Sequence, residues 1–84
     1  MDIRAQFGTI LRKVRLERGL TQEELAFRCG MNVTYLSDLE NGKNNPSLAM
    51  LVDLAESLRI HPAELLQDLD VRRARQPTSR KRPR

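Results

Sequence analysis

A chain of 84 residues with a net charge of +4 makes one small domain. Its single cysteine, Cys29, excludes an internal disulfide framework. No apolar run approaches the ~20 residues of a membrane span and no secretory leader pattern is visible, so the expectation is a cytoplasmic protein.

The aromatics are Phe7, Phe27 and Tyr35, with no Trp, so the core must be aliphatic and mostly leucine. The charge is unevenly spread. Residues 1–45 carry +1, residues 46–70 carry −4, and residues 71–84 carry +7 with no acid at all. Phosphate should be drawn to the first part and to the basic end, and repelled by the acidic middle. A domain this small also buries a limited core, which dimerisation would extend.

Asp2 is placed to cap a first helix, whose buried stripe is predicted as Ile3, Phe7, Ile10, Leu11 and Val14 at 3.6-residue spacing. Gly19 ends it. Arg12, Lys13, Arg15 and Arg18 cluster in its second half, where cations suit a helix C-terminus. For Lys13 and Arg18 a solvated face explains the charge as well as phosphate does.

The central stretch runs from Gln22 to Asn41. Thr21 caps a second helix and Glu24, three residues on, completes a capping box; Leu20 and Leu25 have the spacing of a hydrophobic staple. Gly30 stops that helix. Asn32 caps a third, and Met31 with Leu36 repeats the staple spacing. Inward positions are Leu25, Ala26, Cys29, Leu36 and Leu39. The outward stripe of the third helix is Val33, Thr34, Ser37, Asp38 and Asn41, all on one helical face.

Gly42 is the expected left-handed C-cap, and Lys43-Asn44-Asn45-Pro46 forms a polar loop. That loop suits phosphate contacts, and ordinary turn chemistry accounts for it equally. Ser47 caps a fourth helix with Leu48, Leu51, Leu54, Ala55 and Leu58 inward; a cap at Asn45 with Pro46 as first helical residue is the alternative. A fifth short helix is predicted from His61-Pro62, with Glu64 completing a second box and Ile60 and Leu65 a third staple. His61 is read as a helix-start residue, so no metal ligand set and no cofactor are expected. From Val71 onward, VRRARQPTSRKRPR reads as a basic tail, flexible or weakly helical near its start, and either a further contact to phosphates or a solubilising end.

Gln22, Ala26, Gly30, Leu36 and Leu39 fall at the first, fifth, ninth, fifteenth and eighteenth places of the twenty-residue helix-turn-helix motif. With LENGK at Leu39–Lys43, the stretch resembles the phage repressor and Cro-like family of DNA-binding domains. TYLSDLENGKNNPSL is similar to the controller proteins of restriction–modification systems. The resemblance covers roughly Ile3 to Leu69 and leaves out the tail. It implies an all-α, five-helix, repressor-like domain over residues 1–70, followed by the tail at 71–84. It also implies that Arg15 pairs with Glu40, tying the first helix to the end of the recognition helix. Gln22 matches the family's phosphate-clamping glutamine.

The implied partner is double-stranded DNA, with the third helix in the major groove. The candidate contact set is Gln22, Asn32, Val33, Thr34, Tyr35, Ser37, Asp38, Asn41, Lys43 and Asn44. Val33 offers methyls to thymine, Thr34 and Ser37 donate or accept, and Asp38 accepts from cytosine N4. In controller-like relatives a long basic side chain often stands where Val33 is, so a strong guanine contact is not expected here. Tyr35 either reaches a phosphate or packs over the loop. A homodimer on a palindromic operator is expected, through Met50, Ile60, Leu65, Leu66 and Leu69.

No nucleophile beside a base, no paired carboxylates and no phosphate-binding glycine loop stand in the sequence, so no enzyme is expected. The rival function is a protein-interaction module, such as an antitoxin or bridging factor on the same fold.

Overall fold

A computed structural model describes residues 2–74 of the chain. The expectations for residues 75–84, most of the basic tail, lie outside the described residues. Four helices carry the fold: α1 (Ile3–Glu17), α2 (Gln22–Cys29), α3 (Val33–Glu40) and α4 (Leu48–Leu58). A 3-10 turn at Pro62–Leu65 and a short α5 (Val71–Ala74) follow. Among the described residues there is no strand.

Side-chain caps set where the helices start. Asp2 Oδ1 accepts from the Ala5 amide at 2.9 Å. Thr21 Oγ1 accepts from Glu24 N at 3.0 Å, while Glu24 Oε1 accepts from Thr21 N at 2.8 Å. Asn32 Oδ1 takes the amides of Thr34 (2.6 Å) and Tyr35 (3.3 Å), and Ser47 Oγ takes that of Met50 (3.0 Å). Each cap satisfies an amide that would otherwise lack a partner, worth about 1 kcal/mol apiece. Gly30 stops α2 in the left-handed conformation, at φ 67°. Arg59 does the same for α4 at φ 60°, a strained choice for a residue with a Cβ.

The core is a leucine cluster. Leu11, Leu25, Leu36, Leu39, Leu54, Leu58 and Leu65 are fully buried, with Phe7, Leu20, Ala26, Leu51 and Ala55 around them. Each buried leucine contributes about 1.5–3 kcal/mol relative to an exposed one. α1 packs on α3, α2 packs on both α3 and α4, and α4 packs on the 3-10 turn. Gln6 and Asp70 close the far end: the Asp70 amide donates to Gln6 Oε1 at 2.7 Å and Gln6 Nε2 donates to the Asp70 carbonyl at 3.1 Å.

Several sequence expectations need correction. The element at His61 is one 3-10 turn rather than a helix. His61 Nδ1 caps it at Ala63 N (3.0 Å), but the backbone at Leu66 departs to φ −117° and the turn does not propagate. Leu48, expected inward, is 78% exposed, because the inward stripe of α4 begins only at Leu51. Ile3, at the first turn of α1, is exposed as well. Cys29 is only half-buried. Leu65 retains no exposed surface, so it closes the monomer core and offers nothing to a partner.

Candidate nucleic-acid interface

The polar face of α3 is held out from the protein by a short, rigid mount. Leu36 and Leu39 sink into the core, which leaves Val33, Thr34 and Asn41 exposed and Ser37 and Asp38 half-exposed on the opposite side. Asn32, at the cap, is exposed too. Two of these groups already meet: Asn41 Nδ2 donates to Ser37 Oγ at 3.4 Å. That contact uses an acceptor lone pair of Ser37 and leaves its hydroxyl hydrogen for an acceptor outside the protein.

The C-terminal end of α3 is fixed to α1. Arg15 Nε donates to Glu40 Oε2 at 2.6 Å and Nη2 to Oε1 at 3.1 Å, a two-point pair that fixes direction as well as distance. Arg15 Nη1 donates to the Leu20 carbonyl at 2.8 Å, which ties the α1–α2 connection into the same node. Both side chains are buried, and no buried side-chain polar atom lacks a hydrogen-bond partner among the described residues. Such a pair gains little net stability after desolvation, so its effect is chiefly to set position.

Gly8 makes the crossing possible. A Cβ there would lie 2.4 Å from the Glu40 carbonyl oxygen and 2.6 Å from that of Leu39. Sequence reasoning missed this residue. The available signal was a glycine inside an otherwise uninterrupted helical pattern, where its cost to the helix points to a packing reason.

Gln22, the expected phosphate-clamping residue, is bonded within the protein. Its Nε2 donates to Glu40 Oε1 at 3.0 Å, so the first residue of α2 is joined to the Arg15–Glu40 node. Tyr35 sends its hydroxyl to the Asn45 carbonyl at 3.4 Å, over the loop rather than outward, and its ring packs on the core. The loop begins where Gly42 adopts φ 76° and the Lys43 amide donates to the Asp38 carbonyl at 2.9 Å. Lys43 is exposed and Asn44 half-buried beside it.

Cys29 lies apart from this face. Burial pushes its thiol pKa upward, against the effect of its 3.2 Å contact with Ser57 and with that of the Asp53 charge. It is a half-buried thiol packed against the core, and the raised pKa disfavours its reactive thiolate form. Among the described residues no group of side chains is arranged to hold a metal ion, and no helix is long and apolar enough to cross a membrane.

A capped helix, a glycine turn, and a second helix with one polar face held outward define the helix-turn-helix class of DNA-binding regulators. The chain belongs to the helix-turn-helix family, whose profile matches residues 11–65. It is 41% identical over 70 residues to an uncharacterized HTH-type transcriptional regulator, y4dJ, of Sinorhizobium fredii, covering 83% of this chain and 91% of that one. It is 39% identical over 66 residues to the control protein C.BamHI of Bacillus amyloliquefaciens, covering 77% and 82% of the two chains. Among solved structures it resembles the restriction–modification controller protein C.AhdI from Aeromonas hydrophila. That match has a TM-score of 0.73 and 42% identity over 74% of this chain and 94% of the other.

Proposed function

We propose that this chain is a sequence-specific transcriptional regulator of the restriction–modification controller type, acting as a homodimer on a palindromic operator. The observation that carries the reading is the α3 face: exposed groups of mixed hydrogen-bonding character, held out by the Arg15–Glu40 pair and the Gly8 crossing. Thr34, Ser37 and Asp38 supply base-edge readout, each good contact worth about 1–3 kcal/mol of discrimination. Val33 contributes methyl contact, and Asn32 and Asn41 flank the reading face. Gln22, Lys43, Asn44 and the cations of the tail supply affinity for any sequence through phosphate.

One recognition helix reads only a few base pairs, and pairing two subunits doubles the readout. An apolar groove of about 370 Å³ supports a second copy as the occupant, lined by Ile3, Phe7, Leu48, Leu51, Leu66 and Leu69. Its rim residues Leu48 and Leu66 are exposed. Leu69 lines the same groove, while Met50 and Ile60 are partly buried against the core and are not among its lining residues.

A gel shift on the DNA upstream of the protein's own coding sequence tests the function. Retention that resists unrelated competitor DNA is expected. Failure to retain that DNA, together with tight binding to a co-encoded protein, would make the chain an interaction module instead.

A further inference from the structure

The Arg15–Glu40 pair does more than join two helices. Glu40 Oε1 accepts from Arg15 Nη2 and also from Gln22 Nε2, at 3.1 and 3.0 Å. A glutamine amide left to itself turns either end towards a neighbour. Against a carboxylate, which offers only acceptors, the NH2 end alone fits. That group carries two hydrogens, and Glu40 engages one of them.

Gln22 is the first residue of α2 and only half-buried. It stands at the N-terminal end of α2, where the helix dipole favours an anion, beside the Thr21–Glu24 capping box that already fills part of that end. Its second hydrogen is left for an acceptor arriving from solvent. Arg15 meanwhile compensates the Glu40 charge, which would otherwise repel an approaching phosphate. The sequence places Arg15, Gln22 and Glu40 far apart; only the fold makes them one chain of hydrogen bonds, guanidinium to carboxylate to amide.

We infer that Arg15 and Glu40 are positioning residues for DNA: they fix the Gln22 amide with its nitrogen available to a backbone phosphate, an inference that rests on the DNA-binding reading above. Neither touches the phosphate itself. The relay serves affinity for all sequences alike, and it links the phosphate contact to the helix that reads bases.

A double-mutant cycle on DNA affinity tests it. Gln22→Met removes the amide and keeps the side-chain length. The pair replacement Arg15→Met with Glu40→Met removes the relay, and exchanging a whole buried ion pair for apolar groups is often tolerated by the fold. In the unmodified background, Gln22→Met weakens binding to every duplex by about tenfold per domain, the loss expected for a hydrogen bond to a charged group. In the pair-replaced background the same change costs less than about twofold, the limit of ordinary additivity. A tenfold loss in both backgrounds would overturn the inference, since Gln22 would then hold phosphate unaided. No loss in either background would overturn it as well. A full-length protein that binds no duplex at all would instead reject the DNA-binding reading. Should the pair replacement not fold, the Gln22 side-chain amide in a nitrogen-15 spectrum decides. One proton shifted downfield and protected from solvent exchange before DNA, with the other shifting on adding duplex, supports the relay; two unprotected protons at the shifts of a free glutamine amide overturn it.

Discussion

Replacing Gly8 with alanine adds one methyl group at the point where α1 crosses the end of α3. The new Cβ would sit 2.4 Å from the Glu40 carbonyl oxygen, 2.6 Å from the Leu39 oxygen and 2.7 Å from the Glu40 carbonyl carbon. Ordinary contact begins near 3.5 Å, so the two helices must part by about an ångström. Backbone cannot turn aside as a flexible side chain does. Overpacking of this kind costs about 1–3 kcal/mol or more. Against it stands the better helix propensity of alanine, worth about 1 kcal/mol. The same displacement draws Arg15 away from Glu40, now bonded at 2.6 Å, and loosening a buried pair adds to the loss. The steric terms therefore win, with a net destabilisation of about 2 kcal/mol. For a domain of this size that lowers the Tm by roughly 8–16 °C. Urea unfolding followed by circular dichroism measures it directly. A Gly8→Ala protein as stable as the parent, or more stable by the propensity gain, would refute the close crossing and with it the mount for α3.

Leu66→Asp should convert a dimer to a monomer in sedimentation equilibrium while leaving the helical spectrum intact, because Leu66 is 42% exposed in the free subunit. A parent protein that is already monomeric, free and on DNA, would remove the dimer from the mechanism. Arg59→Gly should raise stability by about 1 kcal/mol, since glycine adopts the left-handed cap without strain. A lower Tm would speak against that cap. Glu24 is held below its ordinary pKa of 4.5, first by the Thr21 amide and then by the Thr21 hydroxyl. A depressed folded-state value means stability that is present above the unfolded-state value and is lost as pH falls through the folded one. Glu24→Gln keeps an acceptor for the Thr21 amide, so its urea midpoint should fall less steeply below about pH 4.5 than the parent's. Parallel curves would show that the capping carboxylate does not titrate with folding.

Local chemistry made much of the fold readable. A cap and its target lie within three residues, so Asp2, Thr21, Asn32, Ser47 and His61 mark the starts of their elements from sequence alone. Periodicity found the faces of α2 and α3. It failed at element ends, where a helix has not yet turned its stripe inward: Ile3 and Leu48 are exposed for that reason. It also failed for the last element, because a capping box starts a turn but does not supply the packing that extends it. The stop of α4 at Arg59 carried no glycine to announce it. The Arg15–Glu40 pairing came from resemblance to a family and not from spacing, since 25 residues separate the partners. Gly8 showed only as a glycine inside a helical pattern, and the Gln22–Glu40 bond was invisible, for a related reason. Each depends on which helix crosses which, and a one-dimensional pattern names the buried face but not the neighbour.

The central claim is that α3 reads base sequence. Selection of bound duplexes from a pool randomised over thirty positions tests it most directly, with the parent protein and Ser37→Ala side by side. The account predicts enrichment of a two-fold repeat with half-sites about 10 base pairs apart, centre to centre. It predicts that Ser37→Ala keeps the repeat but loosens preference at one position of each half-site, by about 1–3 kcal/mol. A pool that emerges as random as it entered, although the protein retains DNA, would contradict it: the α3 face would then be a general phosphate-binding surface and not a reader of sequence.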